Sequence, residues 1–136
     1  MADEVGIADP TTRLMNELGQ YLKAKSLFGE AEPLMRRALA IDEASFGSEH
    51  PNVAIRLNNL AQLLQDTNRL DEAEPLSRQV VEILLLFQMR IGHEHPHLST
   101  AFENYMGLLD SMGHDEDESQ AAIESLIEAV KRRVSS

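Results

Sequence analysis

Apolar residues return every three to four positions along most of this chain, and no stretch alternates apolar with polar as a half-buried strand would. Six helices are predicted. Asp9-Pro10 opens the first, with Asp as N-cap and Pro at a position whose missing donor costs nothing, and Leu14, Leu18, Tyr21 and Leu22 follow at helical spacing. The second runs from about Glu30 to Phe46 and stops at Gly47. Pro51 starts a third through Val53, Leu57, Leu60, Ala61 and Leu64, broken at Asn68, and a fourth extends from Asp71 to about Ile91, ending at Gly92. Pro96 opens a fifth through Phe102, Tyr105, Leu108 and Leu109, closed by Gly113. The sixth spans about Glu116 to Val134, with Ala122, Ile123, Leu126, Ile127, Val130 and Val134 on one stripe and acids near its positive end. Three antiparallel helix pairs result. Pro33 and Pro75 are read as first-turn prolines, which sets the starts of the second and fourth helices at Glu30 and Glu72.

The pairs repeat in sequence. Gly29-Glu-Ala-Glu-Pro-Leu34 returns as Asp71-Glu-Ala-Glu-Pro-Leu76, an offset of 42, and the same offset pairs Asn16 with Asn58, Leu18 with Leu60, Gln20 with Gln62, Leu22 with Leu64 and Arg36 with Arg78. Beyond Ile83 the offset becomes 45: Gly47-Ser-Glu-His-Pro51 matches Gly92-His-Glu-His-Pro96, and Asn59 matches Asn104. A repeat of helix pairs marks an all-α solenoid, in which each unit buries its apolar face only by stacking on the next. We therefore expect one domain over residues 10–134, with units at about 10–50, 51–95 and 96–134, behind a flexible N-terminus at residues 1–9.

The segments Leu57-Asn-Asn-Leu-Ala-Gln-Leu-Leu64, Asn68-Arg-Leu-Asp-Glu-Ala-Glu-Pro-Leu76, Arg37-Ala-Leu-Ala-Ile41 and Phe46-Gly-Ser-Glu-His-Pro-Asn-Val-Ala54 resemble the 42-residue tetratricopeptide repeats of the kinesin light chain type. The resemblance covers residues 13 to 113. It implies stacked helix hairpins wound into a right-handed superhelix, with the first helices lining a concave groove that binds peptides or protein segments. The last unit departs from the pattern, since Tyr105 and Met106 replace Leu60 and Ala61 and His114-Asp-Glu-Asp-Glu118 replaces Arg-Leu-Asp-Glu-Ala. Its final helix is expected to act as a cap. Nothing resembles a heptad coiled coil, so motor transport is not implied.

Such a groove would be lined in the second unit by Ile55, Asn58, Gln62 and Gln65 with Asn59 beside them, in the first by Arg13, Asn16, Gln20 and Lys23, and in the third by Glu103, Asn104 and Asp110 together with Thr100 and Gly107. A ladder of amides can donate to and accept from an extended backbone without demanding one sequence. The plain alternative is that these amides are solvated helix surface. Charge along the row runs from Arg13 and Lys23 to Glu103 and Asp110.

In Val80-Val-Glu-Ile-Leu-Leu-Leu-Phe-Gln-Met-Arg-Ile91 only Glu82, Gln88 and Arg90 are polar, so this helix is apolar around most of its girth and must be covered. Either the degenerate third pair folds over it, or Leu84, Leu85, Leu86, Phe87 and Met89 meet a second copy of the chain and the module is a homodimer.

Composition narrows the chemistry. The 136 residues include no cysteine, which removes disulfides, thiolate metal sites and cysteine nucleophiles, and the net charge of −11 argues against nucleic acid and for a neutral or basic protein or peptide partner. No basic-then-apolar leader or long apolar run is present, so a cytoplasmic protein without a membrane partner is the expectation. His93-Glu-His-Pro-His97 invites a metal reading, but His95-Pro96 repeats His50-Pro51 and so belongs to a helix-starting turn, which leaves only His93 and His97 unexplained. With no nucleophile elbow, phosphate loop or zincin motif, neither an enzyme nor a cofactor is expected.

Overall fold

The computed structural model describes residues 10–135; residues 1–9, with the expected Asp9 cap, lie outside that range. Six α-helices follow in order: α1 (Pro10–Ala24), α2 (Phe28–Phe46), α3 (Pro51–Asp66), α4 (Leu70–Ile91), α5 (Leu98–Ser111) and α6 (Glu116–Ser135). The described residues contain no strand.

The turns repeat as faithfully as the helices. Within each pair the first helix ends on a residue with positive φ at one repeat position, Ser26 at 62°, Asn68 at 58° and Gly113 at 92°. The next amide then reaches back to close the helix: Leu27 N–H donates to the Leu22 carbonyl, Arg69 to Leu64 and His114 to Leu109, at 2.8, 2.7 and 3.0 Å. This six-to-one bond satisfies a carbonyl that the helix end would otherwise orphan. Between pairs, Gly47 and Gly92 supply positive φ at matching positions.

Three expected boundaries shift. α2 and α4 start at Phe28 and Leu70, which places Pro33 and Pro75 one turn inside their helices rather than in the first turn. Each proline leaves one carbonyl, that of Gly29 or Asp71, without its helical donor, and both of those residues are exposed, where water can satisfy the oxygen. α5 begins at Leu98 and not at Pro96, because the segment before it forms a turn in which Leu98 N–H donates to the His95 carbonyl.

Packing explains the small residues. An added Cβ on Gly19 would lie 2.9 Å from Met35 Cγ, so α1 and α2 meet at a contact that only glycine fits without displacing the methionine. Its repeat partner Ala61 and the pair Ala31 and Ala73 are all buried. Leu60 and Leu63 bury completely beside Ala31 and Met35 of the preceding pair, and Tyr105 and Leu108 take the same repeat positions in the third unit.

The third pair departs from the first two. α1–α2 and α3–α4 pair along their lengths, whereas α6 lies mainly against α4 and only lightly against α5. The cause is the length and apolarity of α4, 22 residues whose face Leu126 and Val130, with Ala122, Ile123 and Ile127 beside them, cover. Arg133 contacts Glu49 at the far end. Leu84, Leu85, Leu86, Phe87 and Met89, expected to meet either the third pair or a second copy, are thus covered by the third pair within one chain. Leu84, Leu85 and Leu86 are only 2%, 6% and 2% exposed within a single chain, Met89 packs on the same core, and half-buried Phe87 stands edge-on to His95. No helix of the described residues is long and apolar enough to cross a membrane.

Candidate functional site

The first helices of the three units carry their polar residues on one side, where they bond across the unit junctions. Asn59 Nδ2 donates to Asn16 Oδ1 at 3.1 Å, and Asn104 Nδ2 donates to Asn58 Oδ1 at 3.3 Å. Asn104 is the repeat equivalent of Asn59, and Asn58 that of Asn16. Both junctions therefore use one device: the second amide of a unit donates to the first amide of the unit before it. One pair is buried, with Asn16 and Asn59 each 8% exposed, and the other is half-buried. Lys23 Nζ adds a third bridge to Gln62 Oε1 at 3.2 Å.

Asn16, Lys23, Asn58, Asn59, Gln62 and Asn104 are thus brought together in pairs, and Gln20 and Gln65 lie half-buried on the same row. Ile55 is 41% exposed at its edge. The charge gradient is altered by local pairing: Arg13 pairs with Glu17 and Lys23 lies 3.9 Å from Asp66, while exposed Glu103 and Asp110 have no ion pair among the described residues. The accessible charge of the row is consequently acidic.

Between α3 and α5 the row opens into a cavity of about 190 Å³, with Ile55, Asn58, Leu84, Thr100 and Asn104 in its wall. His95 and His97 complete it. Sequence reasoning missed this, because His95 does belong to a turn: its Nδ1 accepts from His97 N–H at 3.1 Å, as His50 Nδ1 accepts from Asn52 N–H at 3.0 Å. The unmatched His97 was the signal. Burial, then the neighbouring His97, holds the His95 imidazole below the usual histidine value. Among the described residues no group of three or more His, Asp or Glu side chains could hold a metal ion.

Two further pairs tie units together and carry no signal in the local pattern. Asp42, only 1% exposed, accepts from Arg56 Nε at 2.9 Å, and the Tyr105 hydroxyl donates to Glu74 Oε2 at 2.8 Å. Burial and the carboxylate hydrogen bond push the Tyr105 phenol up. Glu32 is held below the usual carboxylate range, chiefly by its hydrogen bond from Arg69 in the next unit.

Helix pairs whose turns, caps and cross-junction amides recur define an all-helical repeat protein. Residues 11–85 match the tetratricopeptide repeat family, and the chain belongs to it. Repeats of this family mediate protein–protein interactions. A 66-residue stretch is 36% identical to nephrocystin-3 of Xenopus laevis; it makes up 48% of this chain and 5% of that protein, so the chain spans only a small part of that relative.

Proposed function

We propose that this chain is a non-enzymatic interaction module that holds a peptide or protein segment along α1, α3 and α5, the three helices forming the concave wall of a right-handed superhelix of the kinesin light chain type. The observation that carries the reading is the amide pair repeated at both junctions. Each pair uses one donor and one acceptor internally, and the unused Nδ2 hydrogens and Oδ1 lone pairs match the N–H and C=O of an extended backbone. The free carboxylates of Glu103 and Asp110, with the net charge of −11, favour a neutral or basic segment.

The test is a random peptide library selected on the protein, followed by the double variant Asn58→Ala with Asn104→Ala. Removing both partners of a hydrogen bond leaves neither unsatisfied, so the fold should persist while the selected peptides lose affinity roughly tenfold or more. Undiminished binding to the double variant would overturn the groove.

A further inference from the structure

Binding across the amide pairs leaves the two imidazoles of the cavity unused. At about 190 Å³ the cavity lies well below the roughly 300–1,000 Å³ of sites for drug-sized ligands, and fits a single side chain. Its walls come from α3, α4, α5 and the loop before α5, and none of the residues they contribute is Asp, Glu, Lys or Arg. Among the described residues, His95 and His97 are the titratable groups that line the space. At its edge, Asn58 Nδ2 is an unused donor and Asn104 Oδ1 an unused acceptor, since their bond runs from Asn104 Nδ2 to Asn58 Oδ1. One peptide group satisfies both.

The hydrogen bond from His97 N–H to His95 Nδ1 places the proton of the neutral His95 ring on Nε2. A second proton must therefore land on Nδ1. There it converts the acceptor of the turn into a donor that faces another donor, and it sets a charge beside the ring of His97, whose centroid lies 5.3 Å away. We propose that this cavity receives one uncharged apolar side chain of an extended peptide, and that a proton on His95 evicts it. The inference rests on the groove reading above, which supplies the peptide.

The sign follows from linkage. His95 is already held below the ordinary value of 6.5 by burial, with His97 adding to it. An apolar occupant strips the remaining water from the ring, so the bound form holds the proton less tightly than the free form. Affinity is constant above the histidine range and falls as pH drops through it, by at most about tenfold per pH unit for one proton. An acidic occupant would show the opposite slope, because the imidazolium would attract it.

The probe is N-acetyl-leucine amide, which carries one apolar side chain between two peptide groups, followed by NMR on the full chain. It should shift the resonances of Asn58, Leu84, Ala101 and His95, and bind roughly threefold to tenfold more weakly at about pH 5.5 than at about pH 7.5. In the wild type, saturating probe should lower the titration midpoint of His95. His95→Asn, whose oxygen can still accept from His97 N–H, should bind at both pH values alike. Silent cavity resonances, an unmoved His95 midpoint, or tighter binding at low pH would each overturn the proposal. If a library-selected peptide shifts the amide pairs while the cavity stays silent, the pocket fails and the groove stands; if the amide pairs are silent too, both fail.

Discussion

At single residues the two asparagines of the second unit, adjacent in sequence, separate into different roles. Asn59 is buried and bonded to Asn16, whereas Asn58 is half-buried and keeps a free donor. Asn59→Ala should therefore destabilise by about 1–3 kcal/mol, because it strands a buried amide. Asn58→Ala should stay within about 1 kcal/mol, and urea denaturation of the two variants separates them. Leu60→Asp places an unpaired charge at a fully buried position and should abolish cooperative unfolding in circular dichroism. Repeat alignment identified the face on which these amides lie, but it equated Asn16 with Asn58. The bonds instead join positions one residue out of register, a consequence of how successive units step past each other that no offset reveals. Asp42 shows the same limit. Its partner Arg56 is on another helix, so the periodicity of α2 alone carries no sign that Asp42 is buried.

Among the elements, α6 distinguishes this chain from a plain array of equal hairpins. The composition of α4 announced that something must cover it, and the choice between a second chain and the sixth helix depends on tertiary path, which the sequence pattern does not encode. With Val130 only 1% exposed against α4, Val130→Asp should loosen α6, expose Leu84 to Leu86, and make the protein associate and bind hydrophobic dyes. Leu85→Glu with Phe87→Lys should unfold the chain or lower its melting point by several degrees. Analytical ultracentrifugation is the check: a wild-type dimer converted by that double variant into a folded monomer would restore the intermolecular reading, as exchange of the last pair between copies would place the same residues at an interface. Helix order and turns were legible because Gly, Asn and Pro punctuate them; the starts of α2 and α4 were not, because their prolines sit one turn inside an exposed helix end and not in the first turn, and the start of α5 was not, because a turn after His95 delays the helix to Leu98.

Over the whole molecule, junctions between units set the response to acid. The Arg69 guanidinium bridges Glu32 of the first unit to Glu72 of its own. A carboxyl held below its ordinary value of 4.5 in the folded state stabilises the fold above that pH and loses the contribution as pH falls through the lowered folded value. Wild type should therefore lose stability between pH 4.5 and more acidic conditions. Arg69→Met should be the less stable at neutral pH and converge with wild type in acid, as urea midpoints across the range would show; parallel curves would mean that the bridge contributes nothing across the junction.

The row of amides owes its meaning to the stacking that makes it continuous, so the decisive measurement is where a bound peptide lies. Backbone and side-chain amide resonances of the ¹⁵N-labelled protein, titrated with a library-selected peptide, should move at Asn16, Gln20, Asn58, Gln62 and Asn104, with α2 and the outer side of α6 unperturbed. Shifts confined to α6, or spread over the outer faces of α2 and α4 with the amide row silent, would contradict a groove on the first helices and place the interaction surface on the other side of the molecule.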